Sequence, residues 1–92
     1  MSTQQEAKQQ RAQEKEERQH LASAIGNRVI HTLGQPGDLY LVQVRHLWGD
    51  NYRVNVLVGA EAASAKVAHS YFLVADLDGN IVESTPMITR RY

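Results

Sequence analysis

The clearest alternation of apolar and polar positions lies between residues 39 and 58, which read LYLVQVRHLWGDNYRVNVLV. Two alternating runs flank residues 49–51, a pattern typical of two antiparallel strands joined by a short turn. Setting Val44 opposite Val56 gathers the β-branched residues on one face of the hairpin. That register predicts a three-residue turn with Asn51 in the left-handed conformation, which asparagine tolerates better than most residues.

An amphipathic helix is predicted before this hairpin. Its apolar stripe follows steps of four residues, which place side chains on one side of a helix: Leu21, Ile25, Val29 and Leu33. Gly26 weakens this helix, which often indicates close approach to another main chain. Gly34 stands where a left-handed residue ends a helix, and Pro36 follows at the expected distance.

The small residues of segment 59–66 favour either one helical turn or a loose crossover, and the sequence leaves both open. A third strand is predicted at about residues 68–75, where aromatic and β-branched side chains are frequent. A short fourth strand follows the next turn, because Pro86 cannot donate a ladder hydrogen bond. Residues 87–92 are expected to continue that strand along the sheet edge.

The turn between the third and fourth strands allows two interpretations. Residues 76–79, Asp-Leu-Asp-Gly, predict a type I turn with Gly79 in the left-handed region, and Val74 then pairs with Val82. A two-residue turn at residues 78–79 is the alternative, and it places Val74 opposite Glu83.

Together these elements predict an α+β fold in which the N-terminal amphipathic helix packs on one face of a four-stranded antiparallel sheet made of two hairpins. Residues 20–92 form the single domain. Residues 1–19 are rich in Gln, Glu, Lys and Arg, so they predict a polar helical or disordered N-terminal segment that projects to solvent or to another protein. The helix is expected to cover the side of the sheet that carries Val42, Val44, Val56, Phe72 and Val74.

The opposite side of the predicted sheet has no second helix to cover it. It is expected to carry an interface, because an uncovered apolar surface usually marks one: Leu39, Leu41, Arg45, Leu47, Arg53, Leu57, Tyr71 and Leu73. Polar residues interrupt this surface, so an ordinary half-solvated sheet face is the alternative interpretation: Gln43, Arg45, Arg53 and Asn55.

Composition strengthens the case for a partner. The chain has 92 residues and no cysteine, so a small core receives no support from disulfides or a thiolate zinc site. Lys plus Arg and Asp plus Glu are ten each, which removes the overall basic field that drives non-specific nucleic-acid binding. Self-association as a homodimer is the usual alternative support. No signal peptide or membrane span is recognised, so the expected location is cytoplasmic.

Candidate catalytic and metal chemistry is weak in this sequence. His20 and His31 share a helix face but lie about 16 Å apart along its axis, at 1.5 Å per residue. His46 and His69 are expected to face opposite sides of the sheet. The acidic turn at residues 76–79 lacks the further ligands of a calcium loop, and turn formation explains it. No catalytic residue, metal ligand or cofactor site is therefore predicted.

Nucleic-acid binding is the second functional hypothesis. Arginines and tyrosines on the sheet and at the C-terminus would bind a single strand or RNA by charge and by stacking: Arg45, Arg53, Tyr71, Arg90, Arg91 and Tyr92. A third hypothesis is a small-ligand pocket or enzyme subunit with Trp48, Tyr52 and Phe72 between helix and sheet. The leading hypothesis is a non-catalytic interaction module that forms a homodimer through its uncovered sheet face.

Overall fold

The computed structural model describes residues 19–92, and it confirms the predicted α+β fold: one helix packs on an open four-stranded antiparallel sheet. The chain is helical from residue 19, the first that is described, to residue 33, and this helix is α1. The strands are β1 (Leu39–Trp48), β2 (Asn51–Val58), β3 (Lys66–Ala75) and β4 (Ile81–Thr85). They pair in chain order, so β1 and β4 are the two edges. The predicted polar segment 1–19 lies outside the described residues except for Gln19.

The core lies between α1 and one side of the sheet. Ile25, Val29 and Leu33 of the predicted stripe have no solvent exposure, and they pack with Val54 of β2 and Leu73 of β3, which are also fully buried. Burying one such side chain contributes about 1.5–3 kcal/mol relative to leaving it exposed. The helix therefore sits where its apolar spacing predicts.

Two glycines of this region have distinct roles. A Cβ added at Gly26 would lie 3.4 Å from both Val42 Cγ1 and Val44 Cγ2, so the helix approaches two β1 side chains rather than the main chain that the sequence led us to expect. Gly34 has φ +90° and its N–H donates to the carbonyl of Ile30 at 2.8 Å. The predicted left-handed end of the helix is confirmed.

The β1–β2 register differs from the prediction by two residues. Val44 pairs with Val54, not Val56, and the turn comprises Gly49 and Asp50. Gly49 has φ +53°, and no residue other than glycine has a positive φ in the described chain, so the expected left-handed Asn51 is wrong. A bulge at Leu47 takes up the spare residue. Because strand faces repeat every two residues, this shift leaves the faces of residues 41–46 and of β2 unchanged, whereas the bulges at Tyr40 and Leu47 move Leu39 and Trp48 to the faces opposite to those expected.

The β3–β4 connection combines the two predicted alternatives. Gly79 has φ +81°, and Ala75 pairs with Ile81 as the type I turn requires. Val74 nevertheless pairs with Glu83, because Val82 is an extra residue in a bulge. In the preceding connection the helical alternative is correct, since Ala62–Ser64 form a short 3-10 helix.

The assignment of β3 side chains to the two faces is the main correction to the predicted fold. Tyr71 and Leu73 are buried at 4% and 0% exposure, whereas Phe72 and Val74 are on the other face. Residues 71–75 are apolar at both odd and even positions, so alternation alone does not show which of them face the helix. Pairing with β2 decides it, since Tyr71 lies opposite the buried Val54.

Residues 87–92 return to the helix instead of extending β4. The N–H groups of Arg91 and Tyr92 donate to the carbonyl of Leu33 at 2.8 and 3.2 Å. Carbonyls in the last turn of a helix lack partners within the helix, and the C-terminal tail supplies one here. The expected continuation of the edge strand is therefore wrong.

Candidate functional site

One face of the sheet faces away from α1, and we call it the open face. Its described side chains come from alternating positions of the four strands: Leu41, Gln43, Arg45, Trp48, Asn51, Arg53, Asn55, Leu57, Val67, Ser70, Phe72, Val74, Glu83 and Thr85. In β2 the alternation is regular, with even-numbered residues buried under the helix and odd-numbered residues on the open face. The open face is therefore a direct product of the period of two in this strand.

The open face contains part of the predicted interface. Leu41, Arg45, Arg53 and Leu57 lie on it, and Leu47 lies half-buried in the β1 bulge. The other three predicted residues do not: Leu39, Tyr71 and Leu73 pack against the core on the helix side. Loss of these three leaves a surface that is less apolar than the sequence indicated.

A band of hydrogen-bonded polar side chains crosses the middle of the open face. Asn55 Nδ2 donates to Gln43 Oε1 at 3.2 Å, and Ser70 Oγ donates to Asn55 Oδ1 at 2.7 Å. Arg53 donates to Ser70 Oγ at 3.3 Å. We call this the polar band, and it links three strands. It separates an apolar corner at Leu57 from an aromatic corner, which contains Trp48 and Phe72.

The aromatic corner joins two arginines to two aromatic rings. Arg45 and Arg53 are direct cross-strand partners, and Phe72 lies opposite Arg53 on the next strand. The rings of Trp48 and Phe72 have centroids 6.0 Å apart with planes inclined at 47°, and Trp48 is 63% exposed. The sequence identified both arginines but assigned the two rings to a different site.

The predicted small-ligand pocket is wrong in its lining. Tyr52 faces the helix side, where its ring lies 5.1 Å from that of His46, whereas Trp48 and Phe72 meet on the open face. The three side chains therefore lie on opposite sides of the sheet. The sequence error has two causes, namely the wrong parity of β3, which misplaced Phe72, and the bulge that turns Trp48 to the open face.

The C-terminal residues of the predicted nucleic-acid surface also lie apart from Arg45 and Arg53. The Tyr92 hydroxyl lies 2.9 Å from Nε2 of His69, whose ring stacks on that of buried Tyr71 at 6.3 Å. Burial raises the pKa of the Tyr71 hydroxyl, with the nearby Arg91 acting in the opposite direction. The C-terminal residues Arg90, Arg91 and Tyr92 thus lie at the end of α1. The residues of the predicted nucleic-acid surface are therefore divided between this helix end and the sheet.

The edge strand β1 borders a groove on the helix side. The groove measures about 580 Å³, and its walls carry no charged side chain: Ala22, Ser23, Gly26, Asn27, Ile30, Gln35, Leu39, Val42 and Val44. Val42 and Val44 are only half-buried beneath it. The apolar surface next to β1 thus continues from its open face, at Leu41, round to its helix side.

The described histidines and carboxylates do not gather into a metal centre. His46 and His69 both lie on the helix side of the sheet, so the expectation of opposite facing is wrong. They pair in different rows, with Tyr52 and Val56 respectively. Within residues 19–92, no three His, Cys, Asp or Glu side chains are placed to hold a metal ion.

Asp76 acts as a turn residue, as predicted. Its Oδ1 accepts from the N–H groups of Asp78 at 3.0 Å and Asn80 at 2.8 Å, and its Oδ2 accepts from Asn80 Nδ2 at 3.1 Å. The main-chain hydrogen bond from Asn80, followed by the bond from its side chain, lowers the pKa of Asp76. The carboxylate is therefore used to hold the β3–β4 turn.

Comparison with protein-family models, curated proteins and solved structures finds no match to this chain. The helix within the described residues is too short or too polar to cross a membrane. Two surfaces of the described residues are left uncovered by other elements, namely the β1 edge and the open face.

Proposed function

We propose that this chain is a small non-catalytic interaction module that works as a homodimer, in which two copies pair along β1. One observation carries the proposal: β1 is a ten-residue edge strand that exposes apolar side chains beside its unpaired edge. Tyr40 is 43% exposed and Leu41 48%. The sequence favoured self-association through the open face, but Leu39, Tyr71 and Leu73 lie on its other side, so the edge is the better candidate. The expected cytoplasmic location is part of the same proposal.

The two edges of the sheet differ in how open they are to pairing. β4 has 5 residues, one of them in the Val82 bulge, and is followed directly by Pro86, so little regular strand is left for a partner. β1 has 10 residues and contains no proline, and between its bulges at Tyr40 and Leu47 it keeps a regular stretch at residues 41–46 with Arg45 as its charged side chain. A long edge with few charges is a template for another strand, so β1 is the edge at which a second chain would add.

The side chains of β1 allow a two-fold register centred on Gln43. Residues opposite each other in an antiparallel pair share a face, so Val42 would meet Val44 of the second copy on the helix side. Arg45 would meet Leu41 of the second copy on the open side, which keeps the two Arg45 side chains from being direct partners. This arrangement is isologous and closes after two copies.

The same register covers the groove beside β1. The half-buried valines of each copy would pack against those of the other, and the uncharged groove walls present no buried charge to either copy. A net charge of zero also removes overall repulsion between copies. The second copy therefore matches this edge both in shape and in charge.

Charge at the two-fold position gives a sharp test. Gln43→Lys and Gln43→Glu each place like charges opposite one another at the centre of the interface, so each variant should be monomeric at tens of micromolar, where the unaltered chain is dimeric. Mixing equal amounts of the two variants should restore the dimer, because Lys then meets Glu. Sedimentation velocity of the full chain measures all four samples.

Thr85→Lys is the matched control, since Thr85 is exposed on the open face of the other edge strand. That variant should remain dimeric. A monomeric unaltered chain at tens of micromolar, or a mixture of the Gln43 variants that stays monomeric, overturns the proposal. A dimer that survives Gln43→Lys but is lost in Phe72→Lys also overturns it, in favour of pairing through the open face.

A further inference from the structure

The aromatic corner of the open face has a chemistry that self-association through β1 does not use. From its geometry we infer that the open face binds single-stranded nucleic acid, with Arg45 and Arg53 holding phosphate and with Trp48 and Phe72 stacking on bases. The inference does not depend on the homodimer, because pairing along β1 leaves the open face accessible.

The relative position of the two arginines suits the binding of an anion. Arg45 and Arg53 are direct cross-strand partners on β1 and β2, and Arg53 binds Ser70 Oγ on β3 through Nη1, so an anion would be held by its other N–H groups. Like charges directly opposite each other on a sheet are mutually destabilising, and an anion placed between them removes that repulsion. Guanidinium groups also form paired hydrogen bonds with phosphate oxygens, which lysines cannot form in the same geometry. A phosphate group is therefore the anion that best matches two adjacent arginines.

The two rings supply a stacking surface next to this pair. Phe72 is the cross-strand neighbour of Arg53, and its ring lies 6.0 Å from that of Trp48. Trp48 is 63% exposed, an unusual state for a large apolar ring in a small domain. Stacking of a base on an aromatic side chain contributes in a sequence-tolerant way, because every base has a π face.

The combination favours a single strand over other anionic partners. A duplex hides the faces of its bases, so it could use the arginines but not the rings. An acidic peptide could likewise pair with the arginines without needing exposed aromatic rings beside them. Glu83, the acidic side chain of this face, lies on β4 opposite Val74, in a different row from the arginine pair.

Trp48 makes the experiment direct, because it is the single tryptophan of the chain. Titration of the full chain with a short oligouridylate should quench Trp48 fluorescence saturably at low salt. If two phosphates are neutralised, the logarithm of the association constant should fall with the logarithm of salt concentration with a slope of about −1.4, at about 0.7 per phosphate.

Matched variants separate this site from general charge effects. The double variant Arg45→Gln/Arg53→Gln should weaken binding about tenfold or more at low salt, and Phe72→Leu should weaken it about fivefold or more with little change in the salt slope. The control is Arg90→Gln/Arg91→Gln, which removes the same charge at the end of α1 and should leave the affinity unchanged. A duplex of equal length should bind more weakly than the single strand.

Three results would overturn the inference. The first is no change in Trp48 fluorescence or oligonucleotide mobility at low salt. The second is an equal loss of affinity in the Arg90/Arg91 control, which would indicate non-specific attraction. The third is binding of polyglutamate as tight as that of the oligouridylate, which would assign the face to an acidic protein segment.

Discussion

The two faces of this sheet are built from neighbouring residues of the same strands, yet they obey different rules. On β2, Val54 and Val56 have no exposure under the helix, while Arg53 and Asn55, which alternate with them, point to the open face. The side chains of the covered face are held by apolar packing against the helix, which requires only that they be apolar and of suitable size. The open face is fixed by specific partners, namely a polar band and an arginine pair.

The difference teaches where stability and function reside in this fold. A buried apolar side chain stabilises the fold wherever the helix covers it, whereas a solvated polar contact contributes little to stability. We therefore expect substitutions on the covered face to change unfolding, and substitutions on the open face to change binding.

Adjacent residues of β3 give the strongest contrast. Leu73→Ala should lower the free energy of unfolding by about 2–5 kcal/mol, because Leu73 is fully buried. Phe72→Ala should lower it by about 1 kcal/mol, roughly half the transfer free energy of a fully buried side chain. Urea denaturation of both variants measures the difference. Equal losses would contradict the assignment of β3 side chains to the two faces.

The C-terminal tail packs against one end of the covered face, and Gly34 allows this contact because it lies directly against the main chain of Tyr92. Gly34→Ala forces an alanine into φ +90° and drives its Cβ into the main-chain carbonyl of Tyr92, so the loss should be about 1–2 kcal/mol from the backbone alone. Amide exchange of Arg91 and Tyr92 should quicken as their bonds to Leu33 break. Gly37→Ala is the control, because nothing lies within 4 Å of its added Cβ, and a comparable loss there would refute the explanation.

The polar band should contribute only modestly to stability. Asn55→Ala removes its hydrogen bonds to Gln43 and Ser70, and we expect a loss of about 1 kcal/mol at most on a solvated surface. Ser70→Ala combined with Asn55→Ala should cost less than the sum of the single variants, because they share one bond. Chemical denaturation of the four proteins completes the cycle, and simple additivity would argue against a connected band.

The smallest predicted effect concerns pH and the β3–β4 turn. Because hydrogen bonds lower the pKa of Asp76, its ionised form stabilises the fold above the ordinary aspartate pKa of about 3.9, and this contribution is lost as pH falls through the lowered value. Asp76→Asn should therefore be slightly less stable than the unaltered chain at neutral pH, with the gap closing in acid. Asp78→Asn should show no such gap in denaturation curves, and a gap that widens in acid would contradict the assignment.

The sequence predicted the helix and the faces of the first hairpin because each had a clear period. The stripe from Leu21 to Leu33 matched only a helix, and the alternation in β2 matched only one facing. The pairing registers of the β1–β2 and β3–β4 hairpins were harder to predict, since the bulges at Leu47 and Val82 shift the pairing without leaving a sequence signal. The position of the C-terminal tail depends on the unpaired carbonyl of Leu33, a contact between distant parts of the chain.

The candidate sites were predictable only in part for the same reasons. Arg45 and Arg53 follow from alternation, so their shared face was correctly identified. Phe72 was assigned to the wrong face because β3 is apolar at both parities, and Trp48 because a bulge alters its direction. The groove beside β1 could not be predicted, because it depends on how far α1 reaches across the sheet, and strand pairing does not determine that distance.

The two-residue turn at Gly49 and Asp50 also bears on which length changes the chain can accept. An insertion at this turn only lengthens the loop, so Trp48 stays paired with Asn51, Val54 stays under the helix and Arg53 stays on the open face. An insertion of one residue inside β2 exchanges the two faces beyond it unless a further bulge forms. Added length should therefore be tolerated at the turn and not within the strand, and the bulge at Leu47 shows how a strand absorbs an odd residue.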